Sequence, residues 1–429
     1  MFSPRWFLAD QAHARYATGA LAYFSQGIPM GLLHIALPAW LVSLGMSAGG
    51  VAAFLAVITL PWAFKLVTGP LMDHWEFLPM GKHRPWVLGA QVGMVFSLLA
   101  LTLLDDPLGQ LGLLTAICFA INAFTATQDV AVDGMEIDFV PLAEEGHLTA
   151  FMTFGKAIGT ALAAAGTGTL LVVYGIGMTG VVCAVAAAVI LLLLVLVRER
   201  EGEKFLPWSA GEASPLDEPP LSWRKVLSEI NQVLWVRASL IIMGIMFFDG
   251  LTGGYGRALM SVAAVNLFGY TTPQWSDLNA LMNLVGAVLA LGLGPLIDRH
   301  GAKRMLFLTT ALLGVHAFLL AYSQQLWTND GYVLAMMAAW IVLQPVTMVC
   351  GLAIAMSIVS HAASATQFAI YMSVSNLGAA IGSAAYGYFA ARTNWSQNYA
   401  LMGALVFVLL LAILMFRTHD HPEVLLEAK

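Results

Sequence analysis

The sequence predicts an all-α membrane protein, with twelve transmembrane helices in two pseudo-symmetric six-helix bundles. Three observations predict it. Only 10% of the 429 residues are charged, where a soluble domain carries about 25%, and 59% are hydrophobic, so no polar coat exists for so large a core. The apolar residues fall into twelve runs long enough to cross a bilayer. Features of the first six runs recur in the last six.

Lipid offers the backbone no hydrogen-bond partners, so each run reads as a helix. The spans are 16–44, 49–71, 85–105, 110–137, 148–173 and 176–197, then 237–266, 274–297, 303–323, 331–359, 364–390 and 396–416. Arg5 and Arg15 precede an apolar stretch too long for a signal-peptide core, so it reads as a first span. With the N-terminus inside, Arg5, Arg15, Lys82, Arg84, Arg198, Arg200, Lys204, Arg224, Lys225, Arg237, Arg299, Lys303, Arg304, Arg417 and Lys429 lie in or beside the cytoplasm. Lys65, Lys156 and Arg257 fall within spans, which leaves only Arg392 in an outside loop. The asymmetry satisfies the positive-inside rule and puts both termini in the cytoplasm. A net charge of −6 argues against a nucleic-acid partner. Cys118, Cys183 and Cys350 all sit in apolar runs without a CxxC spacing and read as small buried hydrophobes.

The chain divides into an N-terminal bundle (1–197), a cytoplasmic segment (198–236) and a C-terminal bundle with a short cytoplasmic tail (237–429). Pro207, Pro215, Pro219 and Pro220 mark 198–236 as a linker. Near its end Trp223, Val226, Leu227, Ile230, Val233 and Leu234 recur at helical spacing, which predicts an amphipathic helix in the membrane plane. Duplication is visible in the residues. Gly69-Pro70-Leu71-Met72-Asp73 returns as Gly294-Pro295-Leu296-Ile297-Asp298, and Gly155, Ile158 and Gly159 return as Gly378, Ile381 and Gly382.

Polar groups in a bilayer are costly and face a cavity or a partner. Counting 1.5 Å per residue puts Gln26, Asn122, Asp249, Asn283, Gln344 and Asn376 near the midplane. Spans six and twelve carry almost nothing polar and read as lipid-facing. A polar set from both halves predicts a central solute cavity, an interhelical hydrogen bond being the alternative for any single Asn or Gln. In span four Asp129, Asp133 and Glu136 share one helical face, spaced i, i+4, i+7. Carboxyls gathered on a buried face take up protons readily, which suits a proton carrier. Pairing of Asp133, Glu136 and Asp138 with Lys82 and Arg84 is the alternative. Lys156 in span five lies at the depth of Asp129, so the two should form an ion pair, or Lys156 should bind an anionic solute group that competes with Asp129. Lys65 reads as a gate partner near Asp73, its long side chain reaching the interface. Asp249 precedes Gly250, Gly253, Gly254 and Gly256, which marks either a broken helix or a packing face. His34 and His316 read as satisfied helix residues. No metal site, cofactor site or phosphate-binding loop is expected.

The duplicated Gly-Pro-Leu-x-Asp, with Gly81-Lys82-His83-Arg84 after one copy and Arg299-His300-Gly301-Ala302-Lys303-Arg304 after the other, resembles the inner-loop signature of the major facilitator superfamily. His74 stands where that signature carries Arg. Gln26-Gly27-Ile28-Pro29, Pro61-Trp62-Ala63-Phe64-Lys65, Ala126-Thr127-Gln128-Asp129-Val130-Ala131-Val132-Asp133-Gly134 and Ser364-Ala365-Thr366-Gln367-Phe368-Ala369 look more narrowly like its peptide/acetyl-CoA transporter branch. That branch includes AmpG-type muropeptide permeases, acetyl-CoA transporters and siderophore permeases. The resemblance implies a monomeric, multi-pass protein of a bacterial cytoplasmic membrane that imports a small solute with protons by alternating access. An anhydromuropeptide-like or other anionic conjugate fits, with a siderophore or acyl-CoA as the alternative. The candidate solute-binding residues are then Gln26, Asn122, Gln128, Lys156, Asp249, Asn283, Gln344, Gln367 and Asn376. Asp129, Asp133, Glu136, Asp73, Asp298 and Lys65 form the coupling or gate set. Two other classes compete. Asp129-x-x-x-Asp133 resembles the Mg²⁺-diphosphate motif of membrane prenyltransferases, but the second half offers no acid-rich partner motif. An assembly factor could keep the fold without transport.

Overall fold

A computed structural model describes residues 7–74, 77–141, 144–211, 231, 235–356, 358 and 364–416, apart from the side chains at 70, 73, 74, 137, 145, 146, 291, 298 and 364–366. Among these residues the fold is helical, with one isolated bridge joining Phe7 to Arg198. The amphipathic helix expected from Trp223, Val226, Leu227, Ile230, Val233 and Leu234 falls on residues outside the described ones.

The spans follow the hydropathy. Span one is Ala12–Gly31, a π-helical turn at Leu32–Ala36, and Leu37–Ser43. Span two is Ala48–Ala63 followed by Lys65–His74, and span three is Arg84–Leu99 with a 3₁₀ turn at Ala100–Leu103. Leu111–Phe139 is span four. Spans five and six form one helical run, Glu145–Val195, interrupted only at Gly175, whose φ of 75° favours glycine. Span seven is Arg237–Asn266, and span eight is Thr272–Leu291 with Gly294–His300. Ala302–Tyr322, Asp330–Met356, Ser364–Ala390 and Trp395–Met415 complete the twelve. Among the described residues ten helices are long and apolar enough to span by themselves, and one of them, His147–Val195, holds two spans. Span eight falls below that measure because Gln274, Asp277, Asn279 and Asn283 dilute it. Capping boxes at Thr271/Gln274 and Asn394/Gln397 fix where spans eight and twelve begin, each satisfying two free backbone donors.

Lipid-facing stripes are visible as exposed apolar residues at helical spacing. Val182, Val185, Val189, Leu192 and Leu196 form one on span six, and Phe407, Leu411 and Leu414 form another on span twelve. Span nine carries a third, Leu308, Leu312, Val315 and Leu319.

The repeated glycines explain the internal symmetry. A Cβ on Gly155 or Gly159 of span five would lie 2.3 or 2.2 Å from the carbonyl oxygens of Ala20 and Phe24 in span one. A Cβ on Gly378 or Gly382 of span eleven would lie 2.2 or 2.0 Å from those of Phe247 and Leu251 in span seven. In each half, therefore, the fifth helix presses its backbone onto the first, as small residues allow in membranes. Gly250 and Gly254 of span seven do the same toward Ser375 and Ala379. Span seven runs unbroken through its glycines, so they are a packing face and not a helix break.

The chain separates into two compact units, one of Met1–Ala36 with Val67–Trp223 and the other of Leu37–Leu66 with Arg224–Lys429. The seam falls inside 198–236. Residues 37–66, which a division at 197 assigns to the first half, pack in this conformation with spans seven and eleven of the second.

In the first unit the start of the polar segment is built into the bundle. Glu199 is buried, and its carboxylate accepts hydrogen bonds from three successive backbone N–H groups, those of Lys82 (2.7 Å), His83 (2.8 Å) and Arg84 (2.6 Å). These N–H groups open span three, where the helix dipole favours an anion. The Arg84 guanidinium donates to the carbonyls of Val195, Lys204 and Phe205. It thereby closes the exposed end of span six. Glu203 accepts from the Glu199 N–H (2.9 Å), and Arg198 stacks over Phe7 and Phe205. Arg15 and Glu144 form a bidentate pair, and Arg15 also donates to the Leu8 and Ala9 carbonyls.

Candidate functional site

A polar constellation of the first unit joins spans one, four and five. Span four runs unbroken from Leu111 to Phe139, so its acids point one way. Asp129 is 3% exposed, and Lys156 Nζ lies 3.5 Å from its Oδ1. The ion pair expected from matched depth is present. One turn on, Asp133 Oδ1 accepts a 2.5 Å hydrogen bond from the Tyr23 hydroxyl, and the Lys156 ammonium stands 5.1 Å over the Tyr23 ring. Tyr23 thus touches both halves of the constellation through a cation–π contact and a charge-assisted hydrogen bond. Glu136 accepts from Thr149 of span five at 3.1 Å.

Behind these acids runs a buried amide chain. Gln128 Nε2 donates to Gln91 Oε1 (2.5 Å), and Gln91 Nε2 donates to Ser25 Oγ (2.6 Å) and the Ala187 carbonyl (2.9 Å). Gln26 is fully buried, and neither of its amide atoms has a hydrogen-bond partner among the described residues. Asn122 Nδ2 lies 3.4 Å from Nε2 of His34, which sits in the π-helical turn of span one. Such turns recur at functional sites. At the end of span four, Asp138 pairs with Lys82 (3.1 Å) and His83 (2.9 Å), the latter ring resting against Gly134. Arg84, an expected partner of these acids, is committed to carbonyls instead.

The second unit holds the remaining expected residues, several of them in local roles. Asn283 donates to the Asn279 carbonyl of its own helix (2.8 Å). Gln367 joins Ser239 and Tyr371 in a buried triad linking spans seven and eleven. Gln344 of span ten lies against Gly253 of span seven. Asp249 is half-buried on span seven. Asn376 donates to the Trp62 carbonyl (3.2 Å), and buried Lys65 stands 5.3 Å over the Trp62 ring. His316 bonds the Met336 carbonyl at 2.9 Å. Asp73 and Asp298 lie on Lys65–His74 and Gly294–His300, and their side chains are outside the described ones. The described residues contain no cluster of three metal-ligating side chains.

Tyr23 and Gln91 escaped the sequence reading. Tyr23 sits three residues before Gln26, one helical turn away, so a wheel of span one carried the signal. Gln91 is the lone amide in the apolar run of span three.

The site thus sets a lysine against one buried acid. A second acid is held by a phenol. A family model of the Major Facilitator Superfamily matches residues 19–276 and 251–429. The anhydromuropeptide permease of Escherichia coli K12 is 22% identical over 413 residues, covering 94% of this chain and 79% of its own. An uncharacterized protein of Haemophilus influenzae is 32% identical over 141 residues, a third of its own length. Putative transporter AmpG 4 of Rickettsia felis is 29% identical over 143 residues, covering 33% of this chain and 34% of its own. Among solved structures, nucleoside transporter NupG superposes with a TM-score of 0.67 at 13% identity, covering 94% of this chain and 98% of its own. A POT family transporter in complex with a thioalcohol-conjugated peptide reaches 0.69 at 13% identity, covering 94% and 96%. The chain belongs to the Major Facilitator Superfamily, as an AmpG-like multi-pass membrane transporter and not an enzyme.

Proposed function

We propose that the protein imports an anionic organic solute together with protons by alternating access, and that the solute is an anhydromuropeptide-like conjugate. The observation that carries the reading is the Asp129–Lys156 pair with Tyr23 and Asp133 beside it. A solute carboxylate that enters at Lys156 displaces Asp129, and the released acid then takes a proton, which ties binding to protonation. Similarity over 94% of this chain to an anhydromuropeptide permease supports the substrate class. The gate residues on this reading are Asp73, Asp298, Glu136 and Lys65. Gln26, Gln128, Asn122, Asp249, Gln344 and Asn376 supply polar contacts. On this reading the protein works as a monomer in a bacterial cytoplasmic membrane, and the distribution of basic residues supports placing both termini inside.

Uptake into proteoliposomes of anhydromuropeptide, an acyl-CoA and a ferric siderophore, with and without an inward proton gradient, tests the reading. Gradient-stimulated uptake of the muropeptide, lost in Lys156→Ala, is the expected result. Uptake of any of the three at equal rate in both conditions removes proton coupling. Preference for the siderophore or acyl-CoA replaces the substrate. Unchanged transport and pH dependence in Lys156→Ala dismiss both roles of that lysine.

A further inference from the structure

Span two stops being helical at Phe64 (φ −84°, ψ 3°), between Ala48–Ala63 and Lys65–His74. In an unbroken helix the Leu66 N–H would bond the Trp62 carbonyl, four residues back. Both groups are met by side chains of span eleven. The Trp62 carbonyl accepts from Asn376 Nδ2 at 3.2 Å, and the Leu66 N–H donates to Ser373 Oγ at 3.2 Å. Positions 373 and 376 are three apart and share a helical face. One donor and one acceptor therefore fit one opened backbone bond. At the other end of the same helix pair, a Cβ on Gly387 would lie 2.9 Å from that of Ala52.

Residues 37–66 form a helical hairpin with an irregular turn at each foot. The π-helical turn Leu32–Ala36 stands at one foot and the Phe64 break at the other. The first compact unit ends at Ala36 and resumes at Val67, so the hairpin packs as part of the second. We propose that Ser373 and Asn376 are positioning residues of the transport cycle: they hold the span-two break open and keep hairpin 37–66 docked on span eleven. Undocking then re-forms the Leu66-to-Trp62 bond within span two, so no backbone group is stranded in lipid in either state. Such an exchange of one helical bond for two side-chain bonds makes the hairpin bistable, the property a gate needs.

Spin labels at Leu44→Cys and Tyr388→Cys, both exposed positions, report docking in the full-length protein reconstituted into liposomes. Ser373→Ala and Asn376→Leu each remove one bond, and each should shift the docked-to-undocked ratio about fivefold. Together they should bring a longer distance into view. Ser373→Thr keeps a hydroxyl and should restore the short distance. A double variant whose distance distribution coincides with the parent's, whatever its thermal stability, overturns the proposal. So does Ser373→Thr behaving as Ser373→Ala does. If the double variant does not fold, Ser373→Ala alone is read by the same criterion.

Discussion

Tyr23→Phe is the most informative single change in the first unit, because it separates the two contacts that Tyr23 makes. The ring stays, and with it the Lys156 ammonium 5.1 Å above it. Only the hydroxyl goes, and with it the 2.5 Å bond to Asp133. A hydrogen bond to a charged group contributes about 1.5–3 kcal/mol, which corresponds to roughly 10- to 100-fold in an equilibrium. Asp133 is half-buried, so water replaces the lost donor only in part. If the bond is made in one state of the cycle and broken in another, uptake by Tyr23→Phe should fall about tenfold or more. Its thermal stability should stay within a few degrees of the parent, since the swap is isosteric. Tyr23→Leu should lose more, because the cation–π contact goes too. The assay is initial-rate uptake into proteoliposomes across pH 5.5 to 8. Tyr23→Phe uptake within twofold of the parent, with an unchanged pH profile, would refute the role given to the hydroxyl.

Two further predictions concern the scaffold. Burial and the neighbouring Glu199 push Glu203 up to about 7, against about 4.3 for an unfolded glutamate. The raised value means that Glu203 contributes stability below the unfolded value and loses it as pH rises through about 7. Glu203→Gln should therefore flatten the fall in melting temperature over that window and gain on the order of 2 kcal/mol at pH 8; melting curves that track the parent at every pH refute it. Gly382→Ala places a methyl 2.0 Å from the rigid Leu251 carbonyl, whereas a methyl on Gly166 meets nothing within 4 Å. The first should cost at least about 2 kcal/mol and the second nothing, judged by melting in detergent; equal melting of the two would undo the packing account of the repeat.

Hydropathy and period made the fold legible, since a continuous apolar run of about 20 residues satisfies its backbone across lipid as a helix. The Gly155/Gly159 and Gly378/Gly382 repeat announced the tightest contact in each half, because only glycine lets two backbones approach so closely. The Asp129–Lys156 pair was legible from depth along antiparallel neighbours joined by a short loop. Other features depend on partners that no one-dimensional pattern names. Gln367 and Asn283 look like site residues until Tyr371 and the Asn279 carbonyl are seen to hold them. Residues 198–205 are polar and read as linker, yet Glu199 folds into backbone N–H groups more than a hundred positions away. The span-two break likewise depends on Ser373 and Asn376, more than three hundred residues on. The glycines of span seven fit a break or a packing face equally well until span eleven is in place beside them.

On the proposed mechanism Asp129, released from Lys156, carries the coupled proton. Its most direct test compares two fluxes of the same variant, Asp129→Asn: accumulation driven by an inward proton gradient, and counterflow exchange without one. Exchange should survive while accumulation is lost. Gradient-driven accumulation equal to the parent's would contradict it.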